Sequence, residues 1–416
     1  MLIVHTADVH IGVETYGFPD PETRTSTRLT DFLNSLDEVV NYAISNKADL
    51  VLFCGDAYKN RNPSQTHQRE FAKRISKLTT NNIPVFLLAG NHDSPNISIQ
   101  ATALDIFKTL NAPKVYIGDT VKTHLIQTKN GPIQIIALPW IRKGDFLTSK
   151  DIKGLDNTKI NKSIQETLTR IIDSEIQNLD AAIPAVLAGH VSIDSARTSS
   201  EKSMMLGKDY ILLKSSIANK KLDYIALGHI HKHQILNDTP KIVYPGSLER
   251  VDFGEENDLK GFCVIELDAS QKSGYRETNF EFVPVNARRF KTVKVTIKDS
   301  DLSPTQSIVN AIESHDINDC IVQVIIDIPA SKINELDEKL IRSVLVSAYF
   351  IASINKNIIE ESQIRLSKPL SESVTPKEAL EVYLKERSID EKLKEQVIKR
   401  ADIMINESPF NESGFL

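Results

Sequence analysis

Residues 83–93 read IPVFLLAGNHD: an apolar run of strand length, a glycine, then Asn91, His92 and Asp93, three side chains able to bind a ligand. A strand buried on both faces in an α/β protein has this form, because its chemistry is confined to its end. Four other stretches repeat the format. Residues 2–12, LIVHTADVHIG, deliver Asp8 and His10; residues 48–56, ADLVLFCGD, deliver Asp56; residues 185–190, AVLAGH, end on His190; residues 222–231, LDYIALGHIH, deliver His229 and His231. Ligands bind at the carboxyl ends of strands in α/β sheets, so the five blocks are expected to converge on one site.

Helical patterns separate these strands. Leu29, Phe32, Leu33, Leu36, Val40, Ala43 and Ile44 recur at steps of three and four, and similar patterns run over 64–78, 97–110 and 159–176. The alternation predicts an α/β domain with layered packing. A polar excursion, DASQKSGYRET, leads to one more strand, FEFVPV, after which the texture changes. The expected organisation is a main domain over 1–286, a small second α/β domain over 287–365, a Ser- and Pro-rich linker over 366–376, and a pair of amphipathic helices over 377–416.

Composition bounds the rest. The chain has 416 residues, 50 Lys and Arg against 55 Asp and Glu, and 41% hydrophobic residues, which excludes a disordered or collagen-like chain. No apolar run approaches the roughly 20 residues needed to cross a bilayer, and the first residues lack a basic leader, so a cytoplasmic location without membrane contact is expected. Cys54, Cys263 and Cys320 each lie in an apolar strand and are read as buried small hydrophobes. A net charge of −5 gives no hint of a nucleic-acid partner.

Asp8, His10, Asp56, Asn91, His190, His229 and His231 offer carboxylate, amide and imidazole ligands and no thiolate. Seven exceed the roughly three protein ligands of a catalytic zinc, so two divalent metals sharing a bridging carboxylate fit better. Gly12, Gly55, Gly90, Gly189 and Gly228 are five of only 16 glycines, each close to a ligand, where a strand must turn abruptly or a phosphate must approach the backbone.

In order and spacing the five blocks resemble the signature of the calcineurin-like metallophosphoesterases, D-x-H, G-D, G-N-H-[DE], a later His, and G-H-x-H. The resemblance implies a layered β-sandwich flanked by helices, with Asp8, His10, Asp56 and His231 on one metal and Asp56, Asn91, His190 and His229 on the other. It also implies that His92 contacts the leaving-group oxygen or the phosphate, and that Asp93 orients its ring. The blocks DVHIG, GDAYKNRNPS, GHIHKHQ and IVYPGSLERVDFGE, with the two C-terminal modules, resemble more narrowly the SbcD-type nuclease subunits of double-strand-break repair. That likeness implies manganese as the usual metal, exonuclease and endonuclease action on DNA ends and hairpins, a homodimer, a second domain that caps the nuclease, and terminal helices that dock on an SbcC-like coiled-coil ATPase.

Candidate phosphate contacts are Lys59 and Arg61 just past a ligand, Ser247 and Arg250 in YPGSLER, and Arg288, Arg289 and Lys291 in a basic strand. Several members of the family carry His where this chain has Lys59, and a point charge does not replace an imidazole that both donates and accepts. Two other readings stand beside the nuclease: a small-molecule phosphodiesterase or phosphatase, and a DNA-end-binding scaffold without catalysis.

Overall fold

The computed structural model describes residues 1–94, 101–142, 157–198, 210–274, 276–359, 380, 384 and 391–406. Its strands are β1 (Leu2–Thr6), β2 (Leu50–Cys54), β3 (Val85–Leu88), β4 (Val115–Gly118), β5 (Lys122–Thr128), β6 (Gly131–Leu138), β7 (Ala185–His190), β8 (Ser192–Ile193), β9 (Ile211–Leu212), β10 (Tyr224–Gly228), β11 (Gln234–Asp238), β12 (Lys241–Tyr244), β13 (Gly261–Leu267), β14 (Thr278–Pro284), β15 (Phe290–Thr296), β16 (Ile321–Pro329) and β17 (Phe350–Ile359). The helices are α1 (Thr27–Ser45), α2 (Gln65–Thr80), α3 (Asp105–Thr109), α4 (Asn157–Gln177), α5 (Pro304–Glu313), α6 (Glu338–Ser343) and α7 (Glu391–Asn406).

Two six-stranded sheets carry the site, in the orders β14-β13-β1-β2-β3-β4 and β11-β12-β10-β7-β6-β5. Alternation along each strand assigns its faces. Leu50, Leu52 and Cys54 of β2 turn to the other sheet, where they meet Val186, Ala188, Tyr224 and Ala226. Val51 and Phe53 turn the opposite way, onto Leu36, Val40, Phe71 and Ile75 of α1 and α2. On the outer face of the second sheet, α4 presents Ile160, Ile164, Leu168, Ile172 and Ile176, a stripe at steps of four over Leu187, Ile225 and Leu227. The result is the layered α/β sandwich expected from the sequence, and the three cysteines are buried thiols.

Strands β1, β2 and β3 are parallel, as are β7 and β10, so within each sheet their carboxyl ends reach one edge. Where a helix is expected over 97–110, the described part is helical only from Asp105. The Asp105 carboxylate accepts the Thr102 amide at 2.6 Å, a local bond that competes with continued helix ahead of it; residues 97–100 lie outside the described residues.

The chain divides into two compact units, one of Met1–Val293, Ile312–Val324 and Arg342–Ile354, the other of Lys294–Ala311, Ile325–Ile341 and Asn355–Leu416. Strands β15, β16 and β17 form a sheet in that order, and α5 buries Ile308, Val309 and Ile312. In α7, Leu393, Val397, Ile403 and Met404 are between 37% and 68% exposed. The expected linker over 366–376 lies outside the described residues, as does most of the segment expected to form the first of the two terminal helices. Among the described residues no helix is long and apolar enough to cross a membrane.

Candidate metal centre

Three of the five strand ends, those of β1, β2 and β10, turn sharply to aim their ligands. Asp8, His10, Asp56 and His229 have φ of 51°, 51°, 54° and 94°, a left-handed backbone that costs a residue with a Cβ on the order of 1–3 kcal/mol. The turns are tied together: the Asp8 amide donates to the Gly55 carbonyl at 3.1 Å and the His10 amide to the Asp56 carbonyl at 3.0 Å.

Asp56 sits at the centre. Its Oδ1 accepts the His92 amide at 2.8 Å, while Oδ2 lies 3.4 Å from His190 Nε2 and 3.9 Å from His10 Nε2. One oxygen is fixed by backbone and the other lies between two sets of imidazoles. On one side, His10 Nε2 and His231 Nε2 are 2.9 Å apart. On the other, Asn91 Oδ1 lies 3.0 Å from His190 Nε2 and 3.1 Å from His229 Nδ1. Asp8 joins both sides: its ligand atom groups with those of His10 and His231, and with those of Asp56 and His190, all within 4.8 Å. The structure therefore brings together, in one crevice, all seven residues expected from the sequence to be ligands.

The donor set fits divalent cations. His231 donates its Nδ1 proton to Glu255 Oε1 at 2.7 Å, and His190 donates Nδ1 to the Cys54 carbonyl at 2.7 Å. Each neutral ring then points the lone pair of Nε2 at another acceptor, an arrangement stabilised by a cation between them. Without one, protons take its place. Burial raises the Asp8 carboxyl to about 6. Burial opposes charge on His190, but the adjacent Asp56 carboxylate overrides it and holds the imidazole up at about 9. These His and Asp clusters fit a dimetal site.

His92 is half-buried, with a ring nitrogen within 4.8 Å of the His10 and Asp56 ligand atoms. Its ring is oriented by the Lys59 carbonyl, which accepts from Nδ1 at 2.7 Å. This corrects the role expected for Asp93. That carboxylate is fully buried and accepts three amides, from Gly90 at 3.1 Å, Tyr58 at 3.2 Å and Ala57 at 3.3 Å. It fastens the turn after β3 to the turn after β2, and burial followed by the charge of Asp56 raises it to about 7.

Two of the glycines have a specific cause. A Cβ on Gly55 would lie 2.0 Å from His190 Nδ1, and one on Gly90 would lie 2.1 Å from Asp56 Oδ1. The space they leave is filled by the site's own ligands. His5 is a neutral core residue, lowered to about 3 by burial and bonded to the Tyr224 hydroxyl and the Leu227 carbonyl.

Of the expected phosphate contacts, Lys59 and Arg61 follow the Asp56 turn, and Arg61 is exposed with its Nε 3.4 Å from the Asn91 carbonyl. Ser247 is fully buried. The Arg250 guanidinium donates to the carbonyls of Glu255, Asp258, Ala287 and Arg288. Arg288 pairs with Asp31 at 2.6 Å and Asp319 at 2.5 Å, and lies 3.8 Å over the Tyr349 ring. Arg289 pairs with Asp316 at 2.7 Å, and Lys291 is half-buried. Arg250 and Arg288 thus act as framework, answering acids and carbonyls of the protein.

Two contributors escape a reading of the sequence. Glu255, in the FGE turn, carries no ligand-motif spacing, yet its carboxylate holds His231; burial opposes its charge, but Lys260 and His231 keep it well below the usual carboxylate range. Trp140 is half-buried with its ring 5.0 Å from that of His229 and 6.4 Å from that of His190.

Comparison with known proteins agrees with this geometry. The chain is 25% identical over 291 residues to the SbcD component of the nuclease SbcCD of Staphylococcus epidermidis, covering 70% of this chain and 71% of that one. It is 25% identical over 305 residues to the DNA double-strand break repair protein Mre11 of Archaeoglobus fulgidus, covering 71% and 61%. With the SbcD component of the nuclease SbcCD of Escherichia coli K12 the identity is 24% over 264 residues, covering 61% and 62%. In the last two cases the match spans under two thirds of the relative's length. The model of the calcineurin-like phosphoesterases matches residues 1–233, more than half of the chain, a range that includes the positions of all seven expected ligands: the chain belongs to the calcineurin-like phosphoesterase family.

Proposed function

We propose that this protein is a two-metal-dependent DNA nuclease, with exonuclease and endonuclease activity, that processes double-strand-break ends with an SbcC-like coiled-coil ATPase. The observation that carries the reading is Asp56 Oδ2 lying between the His10/His231 pair and the His190/Asn91 pair. The names of the relatives supply the substrate class. Asp8, His10, Asp56 and His231 would hold one metal, manganese by preference, and Asp56, Asn91, His190 and His229 the other. Bound there, two such ions supply Lewis acidity toward a phosphodiester and an activated water.

The residues of the chain do the rest. Asp56 fixes the geometry through the His92 amide. His92, with Nδ1 donating to the Lys59 carbonyl, turns Nε2 toward the substrate, and in the imidazolium form that nitrogen serves as the proton donor or phosphate contact. Lys59 and Arg61, beside the crevice, meet the DNA backbone as positive charges. A homodimer would use the face of α2 and α3 that leaves Ile106 44% and Leu110 71% exposed, whereas Phe71, Ile75, Leu78 and Phe107 belong to the core. Residues 287–365 would cap the nuclease, and the exposed apolar side of α7 would meet the ATPase.

The test is nucleotide release from linear duplex DNA in Mn²⁺. Activity is expected in the wild type and lost in His92→Ala with both metals retained. Preference for a small chromogenic phosphodiester over duplex DNA, with the ATPase present, would favour a small-molecule phosphodiesterase. No bound transition metal after purification in Mn²⁺ would favour a non-catalytic scaffold.

A further inference from the structure

The two halves of the crevice are supported differently. The imidazole of His190 rests on a neutral partner, the Cys54 carbonyl at 2.7 Å. The imidazole of His231 rests on a carboxylate, Glu255 Oε1 at 2.7 Å. The other oxygen of Glu255 is equally occupied: Oε2 lies 2.7 Å from Lys260 Nζ and accepts the Val251 amide at 3.2 Å. Lys260 also donates to Ser247 Oγ at 2.8 Å and to the His231 carbonyl at 3.2 Å, so the same ammonium holds both the carboxylate and the ligand's own backbone. Glu255 and Ser247 are fully buried and Lys260 is 2% exposed. Outside this cluster, the Arg250 guanidinium fixes the Glu255 carbonyl at 3.2 Å.

A carboxylate behind a ligating histidine fixes its tautomer and ring plane and makes the ligating nitrogen more basic; a backbone carbonyl fixes the tautomer with less gain in basicity. We propose that Glu255, held by Lys260, is a positioning residue that makes the half of the site containing His10 and His231 the tighter of the two metal sites. The proposal rests on the two-metal reading above and assigns an order within it: the first metal enters on the Glu255 side, the second on the side of Asn91, His190 and His229.

The test uses the full chain stripped of metal and titrated with Mn²⁺, bound metal being followed by calorimetry and free Mn²⁺ by electron paramagnetic resonance. The wild type is expected to take up two equivalents of unequal affinity. Glu255→Gln is expected to weaken the tighter equivalent by about 10–100-fold and to leave the weaker one within about twofold. Because Gln at this position would face the Lys260 ammonium with a donor, the double variant E255Q/K260M, which replaces the buried ion pair by a neutral pair of similar shape, is measured beside it. It is expected to melt close to the wild type without metal and to show the same selective loss. Unchanged affinity of both equivalents, or equal weakening of both, in a variant that melts like the wild type overturns the proposal. A wild type that binds fewer than two Mn²⁺ overturns the two-metal reading itself, so the two failures are distinguishable.

Discussion

Gly90 and Gly189 stand in equivalent places, each at a strand end one residue before a ligand, yet a methyl group should be tolerated at one and not at the other. At Gly90 the added Cβ would lie 2.1 Å from Asp56 Oδ1 and 2.4 Å from the Asp56 backbone nitrogen. Ordinary contact begins near 3.4 Å, so the carboxylate must retreat by 3.4 − 2.1 = 1.3 Å. It cannot do so by rotation alone, because the Asp56 backbone is also too close and its carbonyl is held by the His10 amide at 3.0 Å. Gly90→Ala should therefore lose about 1–3 kcal/mol of stability and, with the central carboxylate displaced by about an ångström, on the order of 10²-fold in activity. At Gly189 the nearest atoms are the flexible ends of Leu227 and Leu187 at 3.1 and 3.3 Å. Gly189→Ala should cost less than about 1.5 kcal/mol and keep metal binding. The assay is fluorescence of Trp140, the one tryptophan of the chain, during titration with Mn²⁺, with thermal melts in parallel. Wild-type Mn²⁺ affinity in Gly90→Ala, or equal damage from both substitutions, would refute the reasoning.

Mn²⁺ binding must displace the proton that Asp56 holds on His190 near pKa 9 and, at lower pH, the one on Asp8 near 6. Affinity should fall as pH is lowered from about 9, by up to about tenfold per pH unit for one proton, and more steeply below 6; a flat profile by calorimetry would exclude this linkage. Asp31→Ala strips a carboxylate from between buried Arg28, at 2.6 Å, and Arg288, at 2.6 Å, and should destabilise by about 3–5 kcal/mol in urea unfolding; a loss under about 1 kcal/mol would mean that solvent screens the pair. Truncation before Thr375, or charge placed at exposed Leu393 and Val397 of α7, should abolish co-purification of the ATPase and spare hydrolysis of a small phosphodiester. An ATPase that still binds would dissociate α7 from that contact.

The strands are legible because each is a short apolar run ending in polar residues, and β1, β2, β3, β7 and β10 appear where the five blocks stand. The helix α4 is legible from isoleucines and a leucine at steps of four. The start of α3 is not, since a side-chain bond from Asp105 to the Thr102 amide decides it within one turn. Phe71 and Ile106 look alike as apolar helical residues, and their environments separate them: the first is fully buried, the second 44% exposed.

The order of five strand-end motifs determined, with no coordinates, the layered α/β class and the seven candidate ligands, because parallel strands of a sheet share a carboxyl edge. What tertiary structure alone decided are the contacts between residues far apart in the chain. Glu255 lies 24 residues from His231, outside any ligand spacing, and reaches it only after β12 and the turn beyond return to the crevice. The His92 ring is turned by the Lys59 carbonyl, a backbone atom that any residue could have supplied. Arg250 and Arg288 read as phosphate contacts because a sequence displays a cation's charge but not the acids and carbonyls that the fold places around it.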